Sequence, residues 1–220
     1  MITELRFKAS ASSGEVGAIM MRPPDARKLL VLAHGAGAGM RSPFMEETAR
    51  ELAAIQVATF RYQFPYMENG RKPPDPRPIL TATVLAAIEA ARAAAPDLPL
   101  FAGGKSLGGR MSSLAALPPQ VRGLVFFGFP LHAPGKSSNE RAGHLAGVRV
   151  PMLFLQGTRD SFAGLALLRP VCEGLGERAT LFTIEGADHS FHVPRSSGTS
   201  DGEVLKKLAR ETADWMEGVG

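Results

Sequence analysis

Short apolar runs alternate with longer amphipathic stretches along the whole chain. The runs predict eight strands, at about residues 5–10, 16–21, 29–33, 57–62, 100–104, 121–127, 151–156 and 179–184. The first two flank Ser12-Ser13-Gly14 and should pair as a hairpin. Later runs, such as Leu29-Leu30-Val31-Leu32-Ala33, are almost continuously apolar, as strands covered on both faces are.

Helical spacing fills the intervals. Ser42-Pro43 reads as a helix start, with a serine N-cap, proline at the first helical position and Glu46 and Glu47 in the first turn. A helix over about 79–94 sets Leu80, Val84, Ile88 and Ala91 on one face. Another, after position 106, repeats Leu107, Met111, Leu114 and Ala115. The last carries a capping box, Ser200 with Glu203, ahead of a stripe of Val204, Leu205, Leu208, Thr212, Trp215 and Met216. The proline-rich stretch Arg71–Pro78 reads as a surface loop before a helix. Strands alternating with helices specify an α/β architecture, a mostly parallel eight-stranded sheet with helices on both faces.

Composition narrows this picture. The 220 residues suit one domain, 1–220, with a sizeable core. Basic residues outnumber acidic ones by 25 to 21, but they are scattered, which argues against a nucleic-acid partner. Cys172 is the only cysteine, so neither an internal disulfide nor a cysteine metal cluster can form. It falls in an apolar run where a half-buried structural thiol is expected. The first residues alternate polar and apolar like a strand, unlike a signal peptide, and no window has the length of a membrane span. These features point to the cytoplasm and away from a membrane.

The chemistry concentrates at three strand ends. Gly104-Lys105-Ser106-Leu107-Gly108 is a Gly-x-Ser-x-Gly pentapeptide between an apolar strand and a helix. Such a turn pushes its serine out at the sheet edge, with the glycines keeping the turn free of colliding side chains. Asp160 follows the strand at 151–156, and Gly186-Ala187-Asp188-His189 follows the one at 179–184. A serine hydroxyl needs a base, and the base needs a partner that fixes its tautomer. Ser106, His189 and Asp160 are the candidates for those roles. His192 competes with His189 as the base, and Asp188 adjoins it but is poorly placed to orient its ring.

An oxyanion hole would draw on the Leu107 amide and on Ala36 in the loop His34-Gly35-Ala36-Gly37-Ala38-Gly39. Two nucleotide-binding readings of the glycines fail on spacing, since Met40 and Pro99 stand where glycine would be required. Candidate substrate contacts are His34, Gly35, Lys136, Arg61 and Arg159, with His132 on the same loop as Lys136. That loop leaves the carboxyl edge of the sheet, where ligands bind in such folds. A group of cations there would favour substrates carrying a carboxylate or phosphate.

The Ser106 elbow, the His34-Gly35 loop, Asp160 and His189 resemble the α/β-hydrolase superfamily. Pro130-Leu131-His132 with Pro134-Gly135-Lys136, Gln156-Gly157-Thr158-Arg159-Asp160 and Gly186-Ala187-Asp188-His189-Ser190-Phe191 resemble a narrower group within it. That group includes a testis-expressed protein, a subunit of a chromatin acetyltransferase complex and bacterial members labelled dienelactone-hydrolase-like. Dienelactone hydrolases proper carry a cysteine nucleophile where this chain has Ser106, so their substrate does not transfer. The resemblance implies an α/β-hydrolase fold. With only about two dozen residues between strands six and seven, a substantial lid domain is not expected.

Together these readings describe a serine hydrolase acting on a carboxylic ester or thioester of a small molecule, through an acyl-enzyme and with no metal or organic cofactor. The alternative is a catalytically weak or silent binding module, which the eukaryotic members of the narrower group imply.

Overall fold

The computed structural model describes residues 1–133 and 136–219; Pro134 and Gly135, part of the loop that carries Lys136, lie outside the described residues, as does Gly220. Eight strands form one sheet: β1 (Ile2–Ser10), β2 (Gly14–Met21), β3 (Lys28–Ala33), β4 (Val57–Tyr62), β5 (Leu100–Lys105), β6 (Val121–Phe127), β7 (Met152–Gly157) and β8 (Ala179–Ile184). Their spatial order is β1-β2-β4-β3-β5-β6-β7-β8. The β1–β2 hairpin and the β2–β4 pair are antiparallel, and every other pair is parallel.

Side chains of β3 show why the sheet is covered twice. Leu29, Val31 and Ala33 enter one apolar cluster with Leu80, Val84 and Ile88 of α3 (Arg77–Ala94), Met111 of α4 (Leu107–Leu114) and Leu168 of α5 (Leu165–Leu175). Leu30 and Leu32 point the other way, into a cluster with Met45 and Leu52 of α1 (Pro43–Ala53) and Val204, Leu205 and Leu208 of α6 (Asp201–Val219). Each such leucine removed from water contributes about 1.5–3 kcal/mol.

Element ends follow local chemistry. At α6 the capping box forms in both directions: Glu203 accepts from the Ser200 amide at 2.8 Å, and Ser200 Oγ accepts from the Glu203 amide at 3.3 Å. At α1, Ser42 occupies the N-cap but its hydroxyl makes no capping bond, contrary to the sequence expectation, and only Glu46 lies in the first turn. The chain also forms a one-turn helix α2 (Pro65–Glu68) and a 3-10 stretch over Glu140–Gly147, where the sequence pattern gave no element. Cys172 is buried rather than half-buried. Among the described residues no helix is long and apolar enough to cross a membrane.

Candidate active site

Parallel strands β3, β5, β7 and β8 all end on the same edge of the sheet, and the loops that follow them meet there. Ser106 sits between β5 and α4 with φ 50° and ψ −113°, a conformation that non-glycine residues rarely adopt. Two close approaches hold the turn. A Cβ at Gly104 would lie 2.2 Å from the Ala33 carbonyl oxygen, and one at Gly108 would lie 2.5 Å from the same atom. The glycines therefore let the elbow nest on the end of β3.

His189 reaches this serine from the loop after β8. Its Nε2 is 2.9 Å from Ser106 Oγ, and its Nδ1 is 2.7 Å from Asp160 Oδ2. Asp160 is 3% exposed, yet its carboxylate is well supplied with donors. Oδ1 accepts from the Phe162 amide at 2.7 Å, and Oδ2 also accepts from Gln156 Nε2. A carboxylate acting only as acceptor places the imidazole proton on Nδ1 and leaves Nε2 to accept from the serine hydroxyl. The Phe162 ring lies 4.4 Å from the His189 ring and covers it.

The neighbouring candidates separate cleanly. His192 is exposed and pairs with Asp201 at 2.8 Å; that partner raises its pKa. Asp188 spends Oδ1 on the amides of Ser190 and His192, so it folds the His189 loop rather than orienting the ring. A second serine–histidine contact joins Ser113 Oγ to His144 Nε2 at 2.8 Å in the last turn of α4. There Ser113 also donates to the Arg110 carbonyl, and His144 is hydrogen-bonded to the Arg141 backbone and lies against the Phe129 ring. Burial pushes His144 down, with the Arg110 charge adding to it. No carboxylate partners that histidine among the described residues.

The loop after β3 lies against the elbow: a Cβ at Gly35 would stand 3.8 Å from Ser106 Cβ. Ala36 is exposed beyond it, and Leu107 opens α4, where first-turn amides have no partner within the helix. His34, expected to touch substrate, is withdrawn from the surface. It is fully buried, with Nδ1 2.7 Å from the Gly35 carbonyl and Nε2 accepting from the Phe64 amide at 3.1 Å. Burial drives its pKa down to about 4, so the ring is a neutral brace for the loop.

Arg61 is likewise a correction. It is 3% exposed and donates to the Met40 carbonyl at 3.1 Å, with Glu46 at 4.0 Å, so it ties down the β3 loop from beneath instead of facing solvent at the sheet edge. Arg159 is exposed, and its amide bonds the Ala187 carbonyl at 2.9 Å. Lys136 is exposed. Its loop is anchored near the site, since the Leu131 and His132 amides both donate to the Phe162 carbonyl, and His132 itself is buried.

Sequence reasoning missed Lys105 and Gln156. Lys105 Nζ donates to the His189 carbonyl oxygen behind the ring, and Gln156 braces Asp160. The only signal for either was its place beside the serine or the acid. A cavity of about 560 Å³ lies elsewhere, between the hairpin and the end of α3, lined by Leu5, Met20, Pro23 and Ala94 among others. It contains none of the residues above.

Known proteins share this arrangement of elements. The model of a family described as alpha/beta hydrolase domain matches residues 26–217. A structure described as an a/b serine hydrolase without lid, from Xanthomonas campestris, is 20% identical with a TM-score of 0.75, covering 97% of this chain and 94% of that one. A dienelactone hydrolase from Anabaena variabilis is 20% identical with a TM-score of 0.76, covering 99% and 98%. An alpha-beta serine hydrolase homologue from Coxiella burnetii is 17% identical with a TM-score of 0.77, covering 95% and 96%. At these identities the likeness is one of fold.

Proposed function

This chain belongs to the alpha/beta hydrolase domain family, and on that premise we propose that it is a serine hydrolase cleaving a carboxylic ester or thioester of a small substrate. One observation carries the reading: a single imidazole spans 2.9 Å to Ser106 Oγ on one side and 2.7 Å to a buried carboxylate on the other.

Ser106 Oγ attacks the substrate carbonyl while His189 Nε2 takes its proton. Asp160 holds Nδ1–H and stabilises the imidazolium that forms. The Leu107 and Ala36 amides receive the developing oxyanion. Collapse of the tetrahedral species expels the alcohol or thiol, which leaves with the proton held by His189. Water then attacks the acyl-serine with the same base, releasing the acid and restoring Ser106. No metal or organic cofactor takes part.

The description of the Xanthomonas structure as a serine hydrolase without lid supports this reading. So does the paucity of chain between β6 and β7, which leaves the site open to small, soluble acyl groups. Lys136, exposed on the adjoining loop, and Arg159, exposed beside Asp160, are the candidate cations for an anionic substrate. The reading extends to one domain over 1–220, to kinship with the testis-expressed and chromatin-complex group, and to the cytoplasm, where a lone buried thiol is at home.

Hydrolysis of short-chain p-nitrophenyl esters by the purified protein tests the proposal. Ser106→Ala should lower kcat by on the order of 10⁴ while the fold persists. Equal turnover in the variant would remove Ser106 from the mechanism, and absence of turnover in both would favour the binding-module alternative.

A further inference from the structure

Lys105 precedes Ser106, and its half-buried side chain runs into the space beneath the His189 loop. Its Nζ donates to the His189 carbonyl oxygen. It lies 5.6 Å from the centroid of the Phe44 ring and 5.2 Å from that of Phe191, so two aromatic faces meet the ammonium. Gly128, at the end of β6, completes the floor. A Cβ there would stand 3.0 Å from Lys105 Nζ and 3.3 Å from His189 Nδ1, so the ammonium and the imidazole share one enclosed space.

An ammonium held between two rings and a main chain is costly to desolvate, and a methionine would fill the same volume without that cost. The charge therefore invites a role beyond packing. We propose that Lys105 is a positioning residue for His189: its ammonium clamps the main chain of the histidine, and its charge keeps the imidazole neutral and able to accept the Ser106 proton. The proposal rests on the serine-hydrolase reading above.

The electrostatics run both ways. Asp160 draws a proton towards His189, whereas the ammonium, which shares the space beside Gly128 with Nδ1, opposes it. The carboxylates facing Lys105 are Asp160, after β7, and Asp188, in the His189 loop. From α1 it meets the Phe44 ring, and the loop after β3 brings Gly35 against its aliphatic stem. Burial pulls Lys105 down to about 8 against the opposing pull of Asp160 and Asp188, so the ammonium is present at neutral pH and lost just above it.

The test is the pH profile of ester hydrolysis by Lys105→Met. Removing a unit charge at this range should move the acidic limb of kcat/KM upward by on the order of one pH unit. At pH 7 kcat/KM should fall about three- to fivefold, carried by kcat, with KM little changed. A folded variant whose acidic limb stays at the wild-type position would overturn the proposal.

A second measurement needs no variant and no turnover. In wild-type protein labelled with ¹³C-lysine and ¹⁵N-histidine, the His189 ring nitrogens should show an inflection where Lys105 Cε titrates, near pH 8. Ring signals that pass through the Lys105 titration unchanged would sink the clamp. This arm separates the two claims: coupling without esterase activity rejects only the hydrolase reading, and activity without coupling rejects only the clamp.

Discussion

Gly108 packs on Ala33 so closely that a Cβ would stand 2.5 Å from the Ala33 carbonyl oxygen. The first turn of α4 thus rests on the last residue of β3, and the elbow takes its height above the sheet from that contact. The obstacle is backbone, which cannot swing aside as a side chain would. Gly108→Ala should therefore lift the turn, destabilising the fold by about 1–3 kcal/mol. A displacement of Ser106 Oγ by about an ångström should cost on the order of 100-fold in kcat/KM. Urea unfolding and ester kinetics on the same preparation check both effects, and an unaltered rate would detach the elbow geometry from activity.

The two histidines near the end of β8 should respond oppositely to substitution. His189→Gln should abolish ester hydrolysis together with the acidic limb of its pH profile, because the base works only when unprotonated. His192→Gln should leave kcat/KM within about twofold, since an exposed pair such as His192 with Asp201 contributes little. A profile retained in His189→Gln and lost in His192→Gln would reverse the assignment.

Acid should weaken the fold through His34. Its folded pKa of about 4 lies below its ordinary value of 6.5, so between those limits the unfolded chain binds a proton that the folded one refuses. Stability is whole above pH 6.5 and falls as the pH drops towards 4, by up to about 3 kcal/mol in total. Unfolding free energies from pH 7 to pH 4 for the wild type and His34→Asn test this. The variant should show a shallower decline, and parallel curves would assign the acid sensitivity elsewhere.

Much of the fold was legible because burial on two faces leaves so plain a mark. Leu29 to Ala33 had to be covered from both sides, and the two clusters that share β3 are the consequence. The order of Ser106, Asp160 and His189 along the chain was also legible, as three strand ends on one edge, and the fold brings the three within hydrogen-bonding distance. Side-chain direction was not. Arg61 looked like a ligand-edge cation from its place at the end of β4, but its pairing with Ile19 and Leu32 sends the guanidinium beneath the β3 loop. His34 suffered the same misreading, because nothing in a histidine beside glycines reveals that Phe64 will claim its free nitrogen. Lys105 was hidden for the converse reason: a polar residue next to an exposed serine reads as surface, and only the loop folded over it shows otherwise.

Mass spectrometry of the protein after reaction with a fluorophosphonate tests the central claim most directly. The reagent phosphonylates a serine only where a base withdraws its proton, whatever the natural substrate. The account predicts one adduct per chain, on Ser106, absent from Ser106→Ala and from His189→Gln. An adduct on Ser113, which also contacts a histidine, or no adduct on folded wild-type protein, would contradict it.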